Sequence, residues 1–146
     1  MVRIITDSSA DLEPQEYQNL NITCIPLTVF FGDQEFQENV NLSKDQFYGL
    51  LASGEFPKTA QPSPQILLDL FEQAKEAGDE AIYFSISSAI SGTYQTACAT
   101  KAMAECDSCY VFDSKNATGG LRLLLEQALY FFFISFSHYF ISKWNC

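Results

Sequence analysis

The chain is poor in positive charge: 8 Lys and Arg stand against 18 Asp and Glu, for a net charge of −10. A surface with that balance repels phosphate backbones within a Debye length, which excludes nucleic acid as a partner and leaves an anionic membrane at most a transient contact. Glycine and proline are also scarce, at 7 and 5 of 146 residues, so a collagenous or low-complexity chain is excluded. With only 18% of its residues charged and 47% hydrophobic, the sequence has enough apolar material for one ordinary folded domain rather than a disordered chain. Signatures of catalysis are missing as well. There is no G-x-S-x-G elbow, no P-loop and no G-x-G-x-x-G, and the one histidine, His138, lies far along the chain from the serine-rich segments.

The N-terminus, Met1-Val2-Arg3-Ile4-Ile5-Thr6-Asp7, lacks the long apolar region of a signal peptide. The expectation is a cytoplasmic, reducing setting, in which Cys24, Cys98, Cys106, Cys109 and Cys146 are thiols. Cys106 and Cys109 have CxxC spacing, yet no second Cys or His pair follows at a distance that would complete a tetrahedral zinc site. No metal and no cofactor are expected.

Apolar runs alternate with amphipathic segments. Val2 to Thr6 reads as a strand, Asp11-Leu12-Glu13-Pro14 as a helix start, and Asn21 to Phe31 as a second strand stopped by Gly32-Asp33, with Pro26 marking an edge or a bulge. Ser43 caps a short helix that packs through Phe47, Leu50 and Leu51. After the proline-dense loop Phe56 to Pro64, Ser63 and Pro64 open a helix with Ile66, Leu67, Leu70, Phe71 and Ala74 on one face, closed by Gly78. Glu80 to Ser85 is a third strand, Ser91 to Ala104 a helix, Ser108 to Phe112 a fourth strand, and Gly119 to about Tyr130 a last helix. Strands alternating with helices of this length imply α/β architecture, a mainly parallel sheet flanked by helices.

Ligands of such sheets gather outside the carboxyl ends of the strands. The segments leaving those ends are rich in hydroxyls: Thr6-Asp7-Ser8-Ser9, then Ser85 to Thr93, then Asp113-Ser114, with Thr59 nearby in the proline-rich loop. Ser91-Gly92-Thr93 opens a helix, where unpaired N–H groups favour a carboxylate or phosphate. The same residue types serve as ordinary caps and turns, and they leave open a small hydrolase or phosphotransferase built on Asp7 and the serine loops, or a non-functional structural fragment.

Five segments in order, Ile4 to Leu12, Ile25 to Val29, Lys58 to Pro64, Ile86 to Ala97 and Asp113-Ser114, resemble the DegV family of fatty-acid-binding proteins. The resemblance implies a carrier, not an enzyme: a long-chain fatty acid lies in a buried tunnel and presents its carboxylate to a fatty acid kinase, which performs the phosphoryl transfer. It implies that Thr59 and Ser91 bind the acyl carboxylate and that Gly92 and Thr93 add backbone N–H donors. Ala60 stands where the family usually has a serine.

The resemblance covers residues 1–130 and corresponds to the family's N-terminal half; the second domain that completes the tunnel is expected to be absent. All 18 acids lie at or before Glu126, and residues 127–142 carry no charge. That stretch would span about 24 Å as a helix, short of a ~30 Å hydrocarbon layer. Ser135, Ser137 and His138 interrupt it. The Phe-rich segment 131–146 is read as an anomalous tail, out of frame or truncated, and fatty-acid binding is expected to be impaired by the missing wall, since each buried methylene contributes roughly 0.8 kcal/mol.

Overall fold

In the computed structural model of the chain the backbone is described for residues 1–144 and the side chains for residues 1–132. The elements run β1 (Val2–Asp7), a 3₁₀ turn (Ser8–Ala10), α1 (Pro14–Asn19), β2 (Ile22–Ile25), β3 (Thr28–Phe31), β4 (Gln34–Gln37), α2 (Lys44–Ala52), β5 (Lys58–Ala60), α3 (Pro64–Ala77), β6 (Glu80–Ser85), α4 (Thr93–Ala104), β7 (Cys109–Asp113) and α5 (Thr118–Trp144).

β1, β2, β6 and β7 form a parallel sheet in the order β2-β1-β6-β7. A strand at its centre must be apolar on both faces, and β1 is: Ile5 packs with Leu67, Phe71 and Ala74 of α3 and Ala97 and Ala104 of α4. Its neighbour Ile4 faces the other way, onto Leu12, Tyr17 of α1 and Leu121 and Leu125 of α5. Helices therefore cover both faces, as expected of an α/β domain. Pro64 in the first turn and Gly78 at φ +68° bound α3 as the sequence implies, although the Ser63 side chain makes no capping bond.

The expected second strand, Asn21 to Phe31, is two strands in two different sheets. Pro26 has no N–H to donate, so the ladder with β1 stops at Ile25, and the chain crosses to begin β3. β3 is the middle of a three-stranded antiparallel sheet, β4-β3-β5, which the alternating strand–helix pattern did not reveal. Gly32, at φ +55°, turns β3 into β4. Lys58 to Ala60, expected as loop, pairs with Phe30 to Thr28 as β5. Over this sheet lies α2, capped by Ser43 as the sequence implied, with Gln46 completing a reciprocal cap that the sequence reading did not include. Phe47 and Leu50 pack with Val29, Phe31 and Leu42, and the Phe31 and Phe47 rings meet edge to face at 5.6 Å.

Two further expectations are corrected. Cys106 and Cys109 are a disulfide rather than thiols: the turn closed by Cys109 N–H on the Cys106 carbonyl brings their Cα atoms to 5.3 Å, within bridging range. Cys24 and Cys98 are free; Cys146 lies outside the described residues. The last helix does not end near Tyr130 but continues to Trp144. The side chains of the Phe-rich segment beyond residue 132, His138 among them, lie outside the described residues. Among the described residues no helix is long and apolar enough to cross a membrane.

Candidate functional site

Because β1, β6 and β7 run parallel, the segments that follow them emerge along one edge. Asp7, fully buried at the end of β1, ties the first two together. Its Oδ2 accepts from the Tyr83 hydroxyl and the Ile86 N–H, both at 3.0 Å, and its Oδ1 accepts from the Ser9 N–H and hydroxyl. Four donors fill the lone pairs of a carboxylate. Asp7 is therefore a strut holding the β6 loop in place, and it has no free lone pair for the acid–base role that the hydrolase alternative requires.

Asp113 does the same between the β6 and β7 loops. Its Oδ1 accepts the N–H groups of Ser88 and Lys115 at 3.1 Å, and its Oδ2 meets Lys115 Nζ at 2.6 Å. Burial disfavours its charge, but the Lys115 ammonium and the Ser88 donors outweigh burial and hold the carboxyl well below the usual carboxylate range. Ser87 and Ser114 hydroxyls are likewise committed, to the Ala89 N–H and the Asn116 carbonyl. Most of the hydroxyl-rich edge is internal scaffolding.

The first turn of α4 differs. Gly92 is its N-cap, with no side chain to occupy the helix N–H groups. The Ser91 and Thr93 hydroxyls are 2.8 Å apart, and the Ser91 hydroxyl also accepts the Thr93 N–H at 3.3 Å. Ser91, Gly92 and Thr93 are thus brought together as the sequence implied, with Thr93 buried and Ser91 half-buried. Thr59 lies on the other sheet, opposite Val29 in the register of β3 and β5, with an exposed side chain.

Gln61, two residues after Thr59, connects the two parts. Its Oε1 accepts the Thr96 hydroxyl at 2.6 Å, and its Nε2 lies where a Cβ on Gly92 would approach to 2.5 Å. Gln61 and Thr96 fall inside two of the five family-like segments, and nothing in the sequence reading assigned either a role. The one signal available was a polar side chain held between Ala60 and Pro62, next to the hydroxyl of interest. Behind this bridge a crevice lined by Ile25, Gln61, Pro62, Tyr83, Thr93 and Ala97 has about 10 Å³ of free space, the room of one water. A roomier crevice of about 180 Å³ lies beside the start of α2, lined by Asp11, Glu38, Lys44 and Phe47. Among the described residues no group of three or more His, Cys, Asp and Glu side chains is placed to hold a metal.

An open parallel sheet covered on both faces, with a hydroxyl-lined helix start at its carboxyl edge, defines an α/β protein of the kind that takes its ligand at that edge. Within that class the chain belongs to the DegV family: residues 1–131 match the family described as "Uncharacterised protein, DegV family". A DegV domain-containing protein of Clostridium perfringens is 34% identical over 128 residues, which are 87% of this chain and 46% of that protein. Among solved structures, a stearic acid-binding protein from Eubacterium ventriosum superposes with a TM-score of 0.82 at 30% identity, over 88% of this chain and 46% of that one. DegV of Bacillus subtilis, described as a fatty acid binding protein, gives 0.77 at 30% identity with the same coverage. The chain spans about half the length of the relatives it matches.

Proposed function

We propose that this chain binds the carboxylate of a long-chain fatty acid, with the Thr59 and Ser91 hydroxyls and the Gly92 and Thr93 N–H groups as donors, and presents it to a fatty acid kinase that phosphorylates it. The observation that carries the reading is the first turn of α4. It places a helix start with glycine as its N-cap and two hydroxyls beside the β5 loop, an arrangement suited to a carboxylate that would take the Thr93 N–H over from Ser91. Solved relatives that bind stearic or heptadecanoic acid support the choice of ligand. The chain itself is a carrier in this reading, because its buried acids are occupied by structural donors.

The acyl chain is the weaker part of the ligand's fit to these residues. With about 10 Å³ free beside the site, they grip the head group and shelter few methylenes, each of which would contribute roughly 0.8 kcal/mol when buried. Among the described residues, affinity for such a ligand therefore rests on the carboxylate donors.

The test is stearate uptake by the wild type and by Thr59→Ala/Ser91→Ala, read by mass spectrometry of the solvent extract and by titration. Each hydrogen bond to a charged group is worth about 1.5–3 kcal/mol, so the double variant is expected to lose at least about a hundredfold in affinity. Equal uptake by both proteins, with both folded, overturns the reading.

A further inference from the structure

We propose, resting on the carboxylate reading above, that Gln61 is a positioning residue that sets the separation between the two halves of the site. Thr59 belongs to the antiparallel sheet, through its pairing with Val29. Ser91, Gly92 and Thr93 belong to the parallel sheet, through α4. The two sheets share no strand and are not joined by a ladder. Whatever holds the two sets of donors at one spacing must therefore be side chains or loop packing.

Gln61 is placed for that task. It follows Thr59 by two residues, and its amide spans to α4 at two points one turn apart: the Thr96 hydroxyl, which donates to Oε1 at 2.6 Å, and the backbone of Gly92, over which Nε2 lies. Each contact constrains the other. The hydroxyl bond directs the amide nitrogen toward Gly92, and only a glycine leaves room for it, since a Cβ there would stand 2.5 Å from Nε2. Pro62 is buried immediately behind, alongside Thr93, Ala97 and Ile25, so the loop cannot swing freely about the bond. The amide acts through Thr59 and need not touch the ligand. Its bond is exposed and its loss should leave the fold intact.

The test separates position from stability. Thr96→Val removes the hydroxyl at constant shape and is expected to weaken stearate binding about tenfold with an unchanged melting curve, the loss of one ordered contact to the binding loop. Thr96→Ser restores the hydroxyl and is expected to restore affinity. Gln61→Met keeps the bulk without the amide and should match Thr96→Val, and the double variant should bind no worse than either single one, because both break the same bond. Additive losses, or Thr96→Ser binding like Thr96→Val, overturn the positioning role. If Thr59→Ala/Ser91→Ala weakens stearate binding while Gln61→Met does not, the positioning role fails and the carboxylate reading stands. If the wild type takes up no stearate, or Thr59→Ala/Ser91→Ala is without effect, both fail.

Discussion

The parallel sheet is packed on both faces, whereas the antiparallel sheet is packed on one. Ile5 and Ile4 of β1 enter separate clusters, the first containing Phe71 and Tyr83 and the second Leu121 and Leu125. Buried apolar residues in the antiparallel sheet and the segment leading to its helix are Val29, Phe31 and Leu42, with β4 and β5 largely in solvent. Local stability follows buried apolar contacts, so Thr59 sits on the less stable of the two sheets and Ser91 on the more stable. A site assembled across that difference has one rigid and one adjustable half.

The comparison can be broken most directly by removing one large side chain from each region. Phe71→Ala empties a fully buried position and is expected to cost about 3–5 kcal/mol, lowering amide protection in both sheets. Phe31→Ala should remove hydrogen-exchange protection from β3, β4 and β5 while β1 and β6 keep theirs. If Phe31→Ala also exposes the β1 and β6 amides, the sheets are one cooperative unit and the distinction falls.

A smaller effect comes from the disulfide, which closes the turn between α4 and β7 on the parallel side. Closing a loop of four residues is worth about 2 kcal/mol, so dithiothreitol should lower the unfolding free energy by that amount, a shift of roughly 1 M in the urea midpoint, without altering exchange in β3 to β5. A reductant effect confined to the antiparallel strands would contradict the assignment of stability to the two regions.

The smallest effects are in pH dependence, and they have opposite signs. Glu38 links the sheets: the Ser8 hydroxyl donates to its Oε2 at 2.7 Å and accepts the Leu27 N–H at 3.0 Å. Burial pushes the Glu38 carboxyl above its ordinary 4.5, and Asp11 and Asp7 add to the rise against the Ser8 bond and Lys44. In the window above 4.5 the folded chain holds a proton that the unfolded chain has lost, so this contribution to stability declines as pH rises through the window. Asp113 is the reverse: its lowered value stabilises the fold above its ordinary 3.8, and that stabilisation is lost on acidification. Denaturant midpoints from pH 3 to 8 should show Glu38→Gln gaining on wild type as pH rises and Asp113→Asn falling behind it. The same trend in both variants would mean that the link between the sheets is not electrostatically strained.

What could be read from the sequence follows from what each residue had to do locally. α3 was legible because Pro64 and Gly78 act at its ends, and β6 because Ala81, Tyr83 and Phe84 form an apolar run. β4 was not, since Gln34-Glu35-Phe36-Gln37 offers one apolar residue to a half-covered sheet. β5 was hidden between Pro57 and Pro62, and its pairing with β3 depends on residues some thirty positions earlier. In the site, Ser91-Gly92-Thr93 was legible as a helix start, while the Gln61 bridge was not, because a contact between the β5 loop and the second turn of α4 exists only once the two sheets are placed.

β1 lies between β2, which follows it almost at once, and β6, whose pairing joins Ile4 to Ile82. A ribosome delivers these partners at different times. β2 is complete at Ile25 and β6 begins at Glu80, so at ~5–20 residues per second the isoleucine-rich edge of β1 stays open for ~3–11 s of synthesis. During that interval the half-made sheet offers its central seam to any strand within reach, and the order of the strands makes the newborn chain, rather than the finished one, the form most in need of protection.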